Sequence, residues 1–456
     1  MGYALDTYQV FNFNREQLYT QFASSGRFVT AIIGSIAKMA NMSEQAIYIA
    51  SYVLAILFTF LSIYKLYKII GQDVQNKILR IILPILIIIN PFSIELFLYI
   101  ENGIMLFAVF MCIYAAEKTI EFFKTNKKRY IFLSIFLMFI ANCSYQGVVG
   151  IYASIILVYI LKYSQTFKKF IKNNTIVALI YGVPAIIDFI IVKIIYAQNR
   201  LNGEIIIMES VKKIVLNTAK MSIDMYDILP KYIFVLSIVF LLVIFYYKNR
   251  KEKRKLIEDA KVLYIILGVT VIAIIPEFIV PTTAIWFVPR TTYCFGALYG
   301  ILLLYLVMNY KIDIKITSLI YILAIILLIL QFSKFVTILQ DRYIVNQKDY
   351  QNSMRIIEQM SKYEQKTGKE IKKVAIYQDS SPKYTYDGIF ATGDINIKAY
   401  MADWSTIGIL NYYTKRNLNL YEKEPEYNRE FLSKNWDEFS EEQIKFEDET
   451  MILCNY

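Results

Sequence analysis

IYIASYVLAILFTFLSIY, residues 47–64, contains no charge and no proline, and its length approaches the ~20 residues a helix needs to cross a bilayer. It reads as a membrane span. Lys65, Lys68, Lys77 and Arg80 follow it, and then comes the run IILPILIIIN (81–90), closed by Asn90-Pro91. A further span starts near Gly103 and ends at the basic KTNKKRY of residues 124–130. Residues 130–161 are apolar except for Asn142-Cys143-Ser144-Tyr145-Gln146-Gly147, which predicts two short helices joined by a tight turn. More spans are expected at 174–196, 231–247, 262–280, 291–308 and 317–338. Residues 28–41 are too short to span and suit an interfacial or re-entrant helix.

The composition agrees. Of 456 residues, 57% are hydrophobic and 16% aromatic, and the mean hydropathy is +0.42, too apolar for an ordinary soluble protein. The net charge of +11 would suggest nucleic acid in a soluble chain. Here the lysines and arginines lie in short loops between apolar runs, where they set orientation and meet lipid headgroups, so membrane lipids are the expected partner and nucleic acid is not. Loops 65–80, 117–130, 162–172, 248–255 and 309–315 are basic, whereas NPFSIELFLYIEN (90–102), CSYQG (143–147) and VPTTAIWFVPR (280–290) hold a single arginine between them. The longer loop 197–230 is mixed. This alternation predicts a multi-pass plasma-membrane protein of about ten spans with both termini extracytoplasmic.

Histidine is absent, which removes the commonest general base and every zinc site that needs imidazole. No cofactor and no metal-ligating residue is assigned, and acid–base chemistry falls to carboxylates. Cys112, Cys143, Cys294 and Cys454 are widely separated and read as packing residues.

Three regions follow. Residues 1–46 form an extracytoplasmic polar loop with the interfacial helix, and 47–339 the multi-span domain. Residues 340–456, charged and aromatic, form a small extracytoplasmic α/β domain, with helices at 349–366 and 403–416 and strands at 372–379 and 451–456. The predicted fold class is thus a polytopic α-helical membrane protein with a small C-terminal α/β domain.

If the orientation holds, the outer face collects Asp6, Arg15, Arg27, Glu95, Glu101, Tyr145, Gln146 and Arg290. Any one of these could be a solvated group at a helix end. Their order along the chain carries more. Asp6-Thr7-Tyr8 in a first outer loop is followed by Gly26-Arg27, a Pro91-Phe92-x-x-Glu95 turn, the Tyr145-Gln146 turn and Pro289-Arg290 opening a late span. This series resembles the GtrII-type glucosyltransferases, membrane enzymes of the GT-C fold that move sugar from a polyprenyl-phosphate carrier to a surface glycan.

The resemblance implies a polyprenyl-phosphate-sugar donor, a cell-surface polysaccharide acceptor, and a partner carrier-lipid glycosyltransferase and flippase. It implies Asp6 as the catalytic base, alone because Thr7 stands where many members have a second acid. Arg27 and Arg290 become candidates for phosphate recognition, with Arg15, Glu95, Tyr145 and Gln146 as further substrate-binding candidates. A snorkelling anchor is the alternative for Arg290, and turn capping for Glu95, Tyr145 and Gln146. Glu101 is expected to cap the following helix. GT-C enzymes carry a span ahead of the first loop, so this loop is preceded by a helix outside the given sequence, lost by truncation, or anchored from its C-terminal side only.

Inside the spans, Asp188 and Lys193 are expected to form a structural pair, and Glu277 to face the bundle or water. A transporter or lipid flippase would instead use Asp188 and Lys193 as a coupling site, but it predicts related halves, which are not evident. A glycan polymerase or ligase is a third reading and calls for a large outer loop in mid-chain.

Overall fold

The computed structural model describes residues 4, 7–196, 204–252, 257–278, 280–310, 313–421, 430–436 and 438–455. Asp6, residues 197–203 of the mid-chain loop, 253–255 and 311–312 of two basic loops, and Tyr456 lie outside them. The chain divides into two compact units, one comprising Arg15–Phe97 and Glu101–Phe335, the other Met1–Asn14, Leu98–Ile100 and Val336–Tyr456.

Among the described residues, seven helices are long and apolar enough to cross a membrane: Glu44–Ile70, Asn102–Thr125, Gln146–Tyr163, Phe167–Ile195, Ile233–Lys251, Ile257–Phe278 and Ile314–Thr367. Phe28–Met39, Arg129–Ser144 and Leu298–Asn309 are shorter apolar helices. The seven are fewer than the roughly ten spans read from charge alternation, because Lys77–Ile88, Arg129–Ser144 and Leu298–Asn309, where three of those spans were expected, fall below the ~20-residue length.

In the helical unit, Glu44–Ile70 shows how the sequence sorts its faces. Ala55, Thr59, Ser62 and Leu66 are buried, while Ile49, Val53, Ile56 and Phe60, also spaced by three and four, are exposed. Small residues inward and large apolar ones outward is the arrangement that hydrocarbon favours. The Thr59 and Ser62 hydroxyls donate to the carbonyls of Ala55 (2.8 Å) and Phe58 (2.7 Å), so neither is left unsatisfied. Gly150–Tyr163 and Leu298–Asn309 are enclosed almost all round, from Gly150 to Ile160 and from Leu298 to Leu306, and form the core. The turn expected within 142–147 is present, as Gln146–Val148 between Arg129–Ser144 and Gly150–Tyr163.

Two segments depart from expectation. The mid-chain stretch read as a mixed loop contains an 18-residue helix, Ile207–Asp224, whose apolar residues repeat at helical spacing but are diluted by lysines. The last span and the amphipathic helix expected at 349–366 are one continuous helix of 54 residues, Ile314–Thr367. Neither glycine nor proline occurs within it, and Gly368 follows its end, so the backbone has no reason to stop where the hydropathy changes.

The second unit carries a four-stranded sheet of order β2-β1-β4-β3, formed by β1 (Lys373–Gln378), β2 (Asn419–Leu420), β3 (Ile444–Glu447) and β4 (Thr450–Asn455). β1 is parallel to β2 and β4, from Lys373 opposite Thr450 to Gln378 opposite Asn455, and β3 is antiparallel to β4. Val374–Tyr377 of β1 are buried in an unbroken run, as suits an interior strand. Ala375, Tyr377, Phe431, Ile452 and Cys454 make the core, with Trp436 against it. Helix Asp403–Thr414 lies in the crossover between β1 and β2.

The N-terminal helix Thr7–Asn12 is part of this unit and packs on Asp403–Thr414. Tyr8 and Phe11 are buried against Tyr412 and Tyr413, and Asn12 Nδ2 donates to the carbonyls of Gly408 (2.6 Å) and Tyr8 (2.8 Å). The close approach needs Gly408, since a Cβ there would lie 2.9 Å from the Gln9 nitrogen and 3.1 Å from its Cα. Both neighbours are backbone and cannot turn aside. Gly408→Val is therefore expected to cost about 1–3 kcal/mol and to raise hydrogen exchange at residues 10–13, with β1 and β4 still protected. Undiminished protection of that helix would contradict this packing.

Candidate active site

Polar residues of the helical unit converge from four turns. The first is Ser24–Arg27, where Gly26 adopts φ +76° and Arg27 N donates to the Phe22 carbonyl at 3.0 Å. This left-handed turn delivers Arg27 to the start of Phe28–Met39, which is tied in turn by Thr30 Oγ1 donating to the Ser144 carbonyl at 3.2 Å. Arg27 Nη1 donates to Glu101 Oε1 at 3.2 Å, its Cζ lies 4.7 Å from the Tyr145 ring centroid, and its Nε is buried without a hydrogen-bond partner among the described residues. Glu101 occupies the position ahead of Asn102–Thr125 but makes no side-chain cap, so the capping role expected for it gives way to this ion pair.

The second pair is more enclosed. Glu95, in the short helix Ser93–Leu96, is 0% exposed, and its Oε2 accepts the Arg290 backbone N–H at 2.7 Å. Its Oε1 takes the Arg290 Nη1 as a salt bridge. A buried carboxylate gripped by both a guanidinium and a main-chain donor is held in one geometry, and removing one partner from such a pair typically costs about 3–5 kcal/mol. Arg290 is thus a partner of Glu95, not an isolated anchor at a helix end.

Tyr145, in the third turn, stands within electrostatic reach of all four charged groups. Burial pushes its phenol above the ordinary range, Arg290 and Arg27 oppose that shift, and Glu95 and Glu101 add to it. The Arg290 carbonyl comes so near Gly147 that a Cβ there would lie 2.8 Å from it. The third and fourth turns therefore touch through backbone.

Gln146 links this group to a residue whose partner the sequence did not reveal. Its Nε2 donates to the Ser25 carbonyl and to Asp188 Oδ2, both at 3.0 Å. The pairing expected between Asp188 and Lys193 is absent: Lys193 Nζ instead lies 5.7 Å from the Phe189 ring centroid, and Asp188 Oδ1 is buried without a hydrogen-bond partner among the described residues. Five residues of separation on a helix points the two side chains apart, which is the geometric reason. Glu277 is buried, as expected for a bundle-facing acid, and accepts the Trp286 backbone N–H at 3.1 Å.

The structure thus brings together Arg27, Glu95, Glu101, Tyr145, Gln146 and Arg290, and adds Asp188. Arg15 opens helix Arg15–Ala23, is exposed, and takes no part in these bonds. Asp6 lies outside the described residues. Chemically, two guanidinium groups held by buried carboxylates offer fixed donors for an anionic ligand, and a tyrosine, an amide and the Asp188 carboxyl can address hydroxyls.

The family model described as Glucosyl transferase GtrII matches residues 3–301, well over half of the chain and the whole span of this cluster. The chain belongs to the GtrII glucosyltransferase family. With its apolar helices, this makes it a membrane glycosyltransferase. No curated protein and no solved structure matches it.

The seat of the GtrII arginine turn can be tested at Gly26. A Cβ there would lie 2.4 Å from Asp188 Oδ2 and 2.6 Å from Gln146 Nε2, on a backbone that disfavours any side chain. Gly26→Ala is expected to destabilise the full chain in detergent by about 1–3 kcal/mol. Gly182→Ala, in a helix with nothing within 4 Å, should not lower the unfolding midpoint. Equal midpoints for the two variants would contradict the tight seat.

Proposed function

We propose that this GtrII chain is a polyprenyl-phosphate-sugar-dependent hexosyltransferase of GT-C type, adding glucose to a cell-surface polysaccharide on the outer face of the plasma membrane. The observation that carries the reading is the pair of arginines, Arg27 and Arg290, each held by a glutamate beside Tyr145 within the region matched by the family. In a site screened from water, guanidinium forks bind phosphate oxygens in a fixed, bidentate way, and they keep their charge at every physiological pH.

In the proposed reaction, the acceptor hydroxyl attacks the anomeric carbon as a base removes its proton. The bond from that carbon to the carrier phosphate breaks, and polyprenyl phosphate departs with the electron pair. Arg27 and Arg290 stabilise the leaving phosphate, a task in which fixed donors cost no reorganisation. Glu95 and Glu101 hold the forks, and Tyr145, Gln146 and Arg15 are proposed as substrate contacts. Asp6 is proposed as the base on the family resemblance.

Basic loops on the cytoplasmic side, both termini outside and an outer-face α/β domain complete the proposal. The donor would be made by a carrier-lipid glycosyltransferase and turned outward by a flippase. Membership of a transferase family favours this reading over transport.

Asp6→Asn is expected to lower transfer by roughly 10²–10⁴-fold while the protein stays in the membrane. The measurement is the hexose content of the surface glycan in cells that carry the wild-type gene, the variant or neither. Undiminished hexose with the variant would remove Asp6 from the mechanism. The same glycan in cells with and without the gene would overturn the transferase reading itself.

A further inference from the structure

The segment after helix Ile207–Asp224 holds three consecutive residues, none of them glycine, in the left-handed region: Met225 (φ 48°), Tyr226 (φ 57°) and Asp227 (φ 57°). Side chains rarely tolerate this backbone, aspartate somewhat better than tyrosine or methionine. It persists only where the surroundings over-determine it. Here Tyr226 N donates to Asp224 Oδ1 at 3.0 Å, Ile228 N to the Met225 carbonyl at 3.1 Å and Tyr232 N to the Ile223 carbonyl at 3.0 Å. Met225, Ile228 and Leu229 are buried beneath.

The strain aims one side chain. The Tyr226 ring packs edge-on against Phe92, with centroids 5.1 Å apart at 65°, and its hydroxyl is 3.4 Å from Thr292 Oγ1. Phe92 stands three residues before Glu95, and Thr292 two residues after Arg290. Tyr226 therefore bridges the two turns whose side chains form the buried ion pair. Thr292 itself is fixed by donating from Oγ1 to the Val288 carbonyl at 3.1 Å.

We propose that Tyr226 is a positioning residue of the donor site, a wedge that sets the Phe92 turn against the Thr292 turn so that Arg290 faces the donor's phosphate. This rests on the phosphate role given to Arg290 above. The residue does not touch the reacting atoms. Its strained backbone is the reason a tyrosine can enter between two turns from a connection that otherwise runs past them.

Substitutions at one position separate placement from stability, because glycine relieves the left-handed strain and alanine does not. Tyr226→Ala is expected to lower the unfolding midpoint of the full chain and to raise KM for a polyprenyl-phosphate sugar at least tenfold, with kcat changed less than threefold. Tyr226→Gly should recover much of the lost midpoint yet keep the raised KM, and Tyr226→Phe, which keeps the ring on Phe92 but loses the hydroxyl contact to Thr292, should raise KM by less than alanine does. Asp227→Gly, an exposed neighbour in the same conformation, should leave KM unchanged. If KM follows the midpoint and recovers with glycine, Tyr226 is only a packing residue and the proposal falls.

Hydrogen exchange at residues 288–292, faster in both the alanine and glycine variants, reads the wedge without any transfer. Faster exchange there together with a wild-type chain that transfers no sugar would overturn the function and leave the wedge standing. Unchanged exchange would overturn the wedge.

Discussion

The buried pair of Glu95 and Arg290 is the constraint around which the helical unit makes sense. A carboxylate with no exposure is costly wherever it sits, and this one is made tolerable by a guanidinium and a main-chain N–H from a turn almost two hundred positions away. That requirement fixes the Pro91–Leu96 turn against the Val288–Thr292 turn. Gly147 lets the Arg290 carbonyl close on the Tyr145 turn, and Tyr145 in turn receives the Arg27 guanidinium over its ring. The second pair, Arg27 with Glu101, is less enclosed, and Gln146 secures its turn by gripping the Ser25 carbonyl. Each link is short and polar inside an apolar bundle, where an unpaired group would cost most.

Much of this was legible in the residues. Unbroken apolar runs identify helices such as Glu44–Ile70, and the polar break at 142–147 marks the turn, because both depend on local composition. The strands Lys373–Gln378 and Thr450–Asn455 stand out in the same way. Arg27, Glu95, Tyr145, Gln146 and Arg290 stand out together, as polar groups collected on one face and by their order along the chain. What the sequence could not supply was pairing. Asp188 and Lys193 look like partners in one dimension, yet the helix turns them apart, and Gln146 reaches Asp188 from another helix hairpin. Glu101 looks like a cap because it precedes a helix, and only three dimensions bring it to Arg27.

Continuity was the other hidden property. Hydropathy falls sharply near residue 340, but helix propensity does not, so Ile314–Thr367 runs through the change. Ile207–Asp224 shows the converse, a helix too polar to register as a span and too short on signals to stand out from a loop. The first described helix, Thr7–Asn12, joins residues 336–456 through Gly408, a contact across some four hundred positions that no local pattern announces. The segment read as an outer loop is thus seated on folded protein along the residues just after Asp6.

If the two glutamate-held arginines form a phosphate site, donor affinity depends on their forks. Binding of a polyprenyl-phosphate sugar to the purified full chain would be compared for wild type, Arg27→Lys and Arg290→Lys, with unfolding midpoints taken alongside. Lysine keeps the charge and loses the fork. Each lysine variant is expected to bind the donor at least tenfold more weakly, at a midpoint near that of wild type. Wild-type affinity in both variants would contradict it.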